Sequence, residues 1–177
     1  DNLRAAILRP QLAGLDTNIA RWNRRYQILE QALSDVAGLR VPLRPHEEHF
    51  VGSSFQFLAP DWDAVRCRAF VDACGTRGVE VKWFGDANPV GFTSRYDSWS
   101  YAPKQSLPQT LSILSRLMDI RVPLSFSQDD CRQIAELIAT EFRAAQQSGN
   151  QPKSGRARRS LGKRQGRIQM RPGASGS

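Results

Sequence analysis

Apolar residues recur along the first part of the chain with a helical beat. Leu8, Leu12, Leu15, Ile19, Trp22, Tyr26, Leu29 and Leu33 are separated by alternating steps of four and three residues, which lines them along one face of a helix. The spacing predicts one long helix from Leu3 to Val36, stopped by Gly38. Pro10 falls near its start, where a missing amide proton costs least; farther inside, it would kink the helix. Roughly four heptads without alternating flanking charges fit a helix lying along a domain better than a coiled coil.

The period then changes. Leu39–Leu43 reads as a short extended piece and His49–Leu58 as a strand after Pro45. Asp61 is the expected cap of a helix from Trp62 to Thr76, ended by Gly78. Val79–Phe84 alternates every two residues and reads as a strand. Gly85 to Ser106 carries Gly, Pro, Asn and Ser throughout and reads as a long loop, a type of segment that is usually functional. Leu107–Met118 follows as a helix and Ile120–Phe126 as a strand. Ser127 and Asp130 then open the last helix like a capping box, and Cys131, Ile134, Ile138 and Phe142 form its buried stripe as far as Ala145. Short strands separated by single helices predict an α+β fold: a long N-terminal helix, then a small, mostly antiparallel sheet with helices packed on one face.

Charge divides the chain in two. Of its 177 residues, 25 are Lys or Arg and 17 are Asp or Glu, a formal net charge of +8. The stretch 146–177 holds eight basic residues and no acidic one, so the preceding part balances 17 against 17. Residues 1–145 therefore read as one neutral domain and 146–177 as a disordered basic tail with too little apolar surface to offset its ordering entropy. Such a tail would hold nucleic acid or another anionic surface through phosphate contacts, or serve as a solvated extension. A nucleic-acid-binding or interaction module acting through the tail is accordingly the alternative function. The neutral body speaks against it, because a folded nucleic-acid domain normally carries its own basic face.

Composition excludes more than it assigns. No apolar run reaches the roughly 18 residues of a membrane span, and no secretion leader is visible. Cys67, Cys74 and Cys131 lack the spacing of a zinc site, and their odd number suits a reducing compartment such as the cytoplasm. His46-Glu47-Glu48-His49 is not a metalloprotease helix, since its second histidine comes one position early and the segment opens a strand. Gly85 and Gly91 lack the Lys-Ser/Thr of a phosphate loop, and two neighbouring histidines assemble no Ser-His-Asp set. No metal site and no catalytic residue follows from local motifs.

A longer pattern does carry information. Asn2-Leu3-Arg4-Ala5-Ala6-Ile7-Leu8, followed by Gln11-Leu12 and Leu15-Asp16, resembles a segment of the DegT/DnrJ/StrS aminotransferases, and Arg24-Arg25-Tyr26 with Leu29 resembles the stretch that follows it. Arg77-Gly78-Val79 at a helix end, an aromatic and proline-rich loop and the Pro123-Leu124 stretch before the last helix keep that family's order over about residues 1–145. The resemblance implies the small domain of a fold-type-I, pyridoxal 5'-phosphate-dependent aminotransferase, cytoplasmic and homodimeric, acting on an amino donor and a keto-sugar-like acceptor. It also implies that the Schiff-base lysine and most cofactor ligands lie upstream of this segment, so that the chain is a C-terminal part, inactive alone. Lys82 and Lys104 stand in no cofactor-lysine context. Trp83-Phe84 and Gly91-Phe92-Thr93-Ser94-Arg95 depart from the family's usual proline-histidine loop.

Four residues are candidates for substrate binding. In the wider fold type an arginine on the corresponding strand grips the substrate's α-carboxylate, and Arg121 resembles it; the alternative is an ion pair with Asp119 or Asp129. Trp83, Phe84 and Arg95 belong to a segment whose aromatics and arginine suit a ring-shaped or acidic substrate, or else fill the edge of the core.

Overall fold

A computed structural model describes residues 1–88, 101, 103 and 105–149. Two helices open the chain, α1 (Asn2–Ala13) and α2 (Leu15–Leu33), where the apolar spacing predicts one. The break is at Gly14, whose φ of −98° and ψ of 4° leave the helical region while its amide donates to Gln11 O at 3.2 Å. The seam is continuous, but its burial is not. Leu3, Leu8, Leu12 and Leu15 are exposed, whereas Tyr26, Leu29 and Leu33 are buried. Only the α2 half is held straight by packing, and a glycine four residues after Pro10 is a cheap place to bend.

The remaining elements are β1 (Ser54–Leu58), α3 (Ala64–Thr76), β2 (Lys82–Trp83), α4 (Pro108–Leu114), β3 (Leu117–Arg121) and α5 (Gln128–Gly149). They form an α+β fold in which β3 lies between β1 and β2 and pairs antiparallel with both. Register places Phe55 opposite Ile120, and Phe57 and Trp83 opposite Met118, on the face that meets α2, α3 and α5. Trp62 stacks on Phe142 at 4.1 Å, Phe70 meets both edge-on, and Tyr26 abuts Phe55 at 5.1 Å. Each such side chain, fully buried, contributes about 1.5–3 kcal/mol. Cys67, Cys74 and Cys131 are free and buried in the same core. Burial pushes the Cys67 thiol up to about 11 and Cys74 to about 12, which keeps both as inert thiols.

Several boundaries move for identifiable reasons. The cap of α3 is Asp63, which accepts from Arg66 N at 2.8 Å, and not Asp61. Trp62 is tied into a turn by its amide bond to Ala59 O, so the helix starts after it. β1 begins at Ser54 rather than His49. The Asn23 side chain takes the backbone of residues 50–52 instead, donating to Phe50 O and accepting from Gly52 N. Gly52 is required there, since a Cβ would lie 2.5 Å from Tyr26 Cβ. β3 is Leu117–Arg121, not Ile120–Phe126: Val122 N still bonds to Ser53 O in the same register, and the pairing stops at Pro123, which has no amide to pair. α4 accordingly ends at Leu114. The reciprocal cap of α5 forms as expected, with Asp130 N donating to Ser127 Oγ at 3.0 Å and Ser127 N to Asp130 Oδ2 at 2.7 Å. That helix runs on through Gly149, and Gln146, assigned to the tail by composition, donates to Ala37 O at 2.6 Å. Among the described residues, no helix is long and apolar enough to cross a membrane.

Candidate functional site

The pleat that sends Phe55, Phe57, Met118 and Ile120 into the core sends their neighbours the other way. Ser54 stands opposite Arg121, and Asp119 lies between Gln56 on β1 and Lys82 on β2. The sheet thus has a second, polar face with two cations around one acid. Arg121 is exposed at the end of the central strand, while Asp119 retains only 6% exposure. Burial pushes the Asp119 carboxyl above its ordinary value; a hydrogen bond from the Ser54 side chain and the charges of Lys82 and Arg121 pull the other way without cancelling it. Its Oδ1 is buried and has no hydrogen-bond partner among the described residues. Asp129, the other proposed partner of Arg121, is paired with Arg132 one turn into α5.

The structure places Trp83 on the other face. Trp83 is 9% exposed on the core side, where its indole Nε1 donates to Ser115 O at 2.9 Å. Gly85 fits beneath the ring, since a Cβ there would lie 2.6 Å from Nε1. Arg68 sits 5.3 Å from the ring centre and is ion-paired with Asp86. That pairing holds the Asp86 carboxyl below its ordinary value. The cleft beside β2, about 410 Å³, is lined by Arg68, Val71, Lys82, Trp83 and Asp86 among others. Phe84 is half-buried and bonded through its amide to Leu117 O at 3.0 Å. Arg95 and Lys104 lie outside the described residues.

Three side chains that set this geometry, Arg25, Asn23 and Arg44, were not among the candidate site residues. Arg25 is 9% exposed and bonds only to main-chain carbonyls among its described partners: Phe126 O at 2.7 Å, Arg21 O at 2.8 Å and Leu124 O at 3.1 Å. It fastens the turn after β3 to α2. Asn23 does the same for the segment before β1. Arg44 lies over Phe50 at 4.2 Å and Tyr26 at 5.1 Å and pairs with Glu48 at 2.9 Å. The signals in the sequence were the position of Arg25, three residues after Trp22 and beside Tyr26 on the apolar seam, and its place in the family-like Arg24-Arg25-Tyr26 stretch. His46 and His49 are exposed, and among the described residues no three His, Cys, Asp or Glu side chains gather as a metal site.

Comparison with known proteins places this geometry. Residues 1–139 match the DegT/DnrJ/EryC1/StrS aminotransferase family. Among solved structures the chain is similar to the aminotransferase TlmJ from Streptoalloteichus hindustanus, with 21% identity and a TM-score of 0.63 over 79% of this chain and 36% of that one. It is also similar to 3-amino-5-hydroxybenzoic acid synthase (23% identity, TM-score 0.62, covering 79% and 38%). A sugar aminotransferase from Micromonospora echinospora shares 17% identity with a TM-score of 0.57, covering 73% and 32%. No protein with a curated description matches the chain. The chain spans about a third of the length of these solved structures, and the likeness is one of fold.

Proposed function

The chain belongs to the DegT/DnrJ/EryC1/StrS aminotransferase family, and from that premise we propose that it is the C-terminal domain of a pyridoxal-phosphate-dependent enzyme. The enzyme moves an amino group from an amino acid to a keto-sugar or related carbonyl compound. The described residues do not themselves fit the cofactor. Lys82, the one lysine among them, stands opposite Asp119 on the central strand of the sheet. Cofactor chemistry therefore belongs to the rest of the enzyme, and this domain's share is to bind, orient and cover the substrate. Closing over the cleft, it excludes water from the reacting groups.

The observation that carries this reading is the exposed Arg121 on the polar face of the sheet, opposite the helices, within the family's fold. An arginine there offers two parallel charge-assisted hydrogen bonds to a carboxylate and fixes its orientation. We assign it the α-carboxylate of the amino donor. Arg95 and Phe84 are further substrate contacts in this reading, and Trp83 shapes the wall of the cleft beside β2. The enzyme works in the cytoplasm as a homodimer. The test is amino transfer by the full-length enzyme loaded with pyridoxal phosphate, using amino acids as donors and keto-sugars as acceptors. Formation of an amino-sugar is expected. A folded, cofactor-loaded enzyme that transfers to no carbonyl acceptor contradicts the proposal.

A further inference from the structure

α1 is a helix with an apolar face and no core beneath it. None of its twelve residues is buried, and Leu3, Ile7, Leu8 and Leu12 are between 53% and 72% exposed. At helical spacing these four fall on one half of the helix surface. A helix this short is marginal in water on its own, and Pro10 removes one of its hydrogen bonds. The same seam runs on through half-buried Ile19 and Trp22 to the buried Tyr26, Leu29 and Leu33. The exposed face is thus the continuation of a packing surface that the described residues cover only along α2.

We propose that this face of α1 docks on an apolar surface of the part of the enzyme that precedes Asp1 in the same polypeptide. The inference rests on the reading of the chain as the C-terminal domain of a larger enzyme. Matching this chain leaves about two thirds of each solved structure it resembles unmatched. A polypeptide arriving at Asp1 arrives at the N-terminus of α1 itself. Its preceding domain is therefore held beside the apolar face at an effective concentration of the millimolar order, which a separate molecule seldom reaches. Residues 150–177 start from the wrong place. Gln146 Nε2 donates to Ala37 O, so α5 ends beside the C-terminal end of α2. The nineteen residues of α2 separate that end from α1 by about 28 Å. With α1 fixed to the preceding domain and α2 to the sheet, Gly14 is the joint between the two parts.

The test compares the full-length enzyme with the 177-residue chain. Leu12→Cys is made in both, and its reaction with a maleimide is followed by peptide mass spectrometry. Leu43→Cys, at a position 99% exposed, is the reference. In the full-length enzyme Leu12→Cys is expected to react roughly tenfold slower than the reference, and in the short chain at a similar rate to it. Equal rates in both proteins overturn the proposal. A photo-crosslinking benzoylphenylalanine in place of Leu8 identifies the cover. A crosslink within one polypeptide, to a peptide preceding Asp1, is expected; a product of dimer mass means that a second copy covers α1 and overturns the proposal. A crosslink to residues 150–177 overturns it as well. Amino transfer is scored separately. A full-length protein that protects Leu12→Cys but transfers no amino group loses the assigned reaction and keeps this interface, whereas an active enzyme with a fully reactive Leu12→Cys keeps the reaction and loses the interface.

Discussion

The two faces of one three-stranded sheet are built on opposite principles. On the inner face, Phe55, Phe57, Met118, Ile120 and Trp83 meet α2, α3 and α5, and the polar atoms there are satisfied, as Trp83 Nε1 is by Ser115 O. On the outer face, the same strands present Ser54, Gln56, Lys82, Asp119 and Arg121, and a buried carboxylate oxygen stays unpaired. Folding alone explains the first arrangement. The second costs stability, and groups that cost stability persist where binding requires them. A two-residue period thus separates what holds the domain together from what it does.

If the comparison is right, cutting into the inner face destabilises the domain, whereas neutralising the buried acid of the outer face stabilises it. The largest effect belongs to the inner face. Phe142→Ala removes the ring stacked on Trp62 and touching Phe70 and should cost about 3–5 kcal/mol, read from denaturant unfolding. A loss below about 1 kcal/mol would mean that the aromatic cluster does not carry the fold. Next comes the segment that sets β1 in place. Gly52→Ala puts a methyl group against Tyr26 and should cost about 1–3 kcal/mol by the same measurement. An unchanged midpoint would show that the Asn23 clasp gives way freely.

Asp119→Asn has the smallest effect and the opposite sign. Its carboxyl is pushed up by burial, so the folded state holds the proton more tightly than the unfolded chain does. Stability from this group is present below the unfolded value and declines as pH rises through the folded one. The variant should therefore melt above the wild type at neutral pH and with it at acid pH. A variant less stable than the wild type at neutral pH would show that Asp119 is already fully compensated.

Much of this division was legible before any coordinates. The Ser127–Asp130 cap and the stripe Cys131, Ile138 and Phe142 appear as predicted, because capping and helical periodicity are local. The α+β order survives as well, since it depends on the sequence of periods and not on their ends. What failed was decided by tertiary contact. The long seam gave no hint that its first half would stay exposed among the described residues and would break at Gly14. Asp119 was hidden by a strand placed three residues too late. Met118, Ile120 and Val122 alternating with Asp119 and Arg121 already mark the two faces, but the burial of that aspartate comes from residues distant in sequence. Arg25 illustrates the same limit, since its partners at Leu124 and Phe126 are about a hundred positions away.

The measurement that bears most directly on the outer face is Arg121→Lys in the full-length enzyme, with donor kinetics and unfolding recorded on the same preparation. Loss of a bidentate contact should lower kcat/KM for the amino donor by the equivalent of about 2 kcal/mol while the unfolding midpoint stays in place. A lowered midpoint with unchanged kinetic constants would contradict the account, making Arg121 a structural ion-pairing residue and placing the carboxylate site elsewhere.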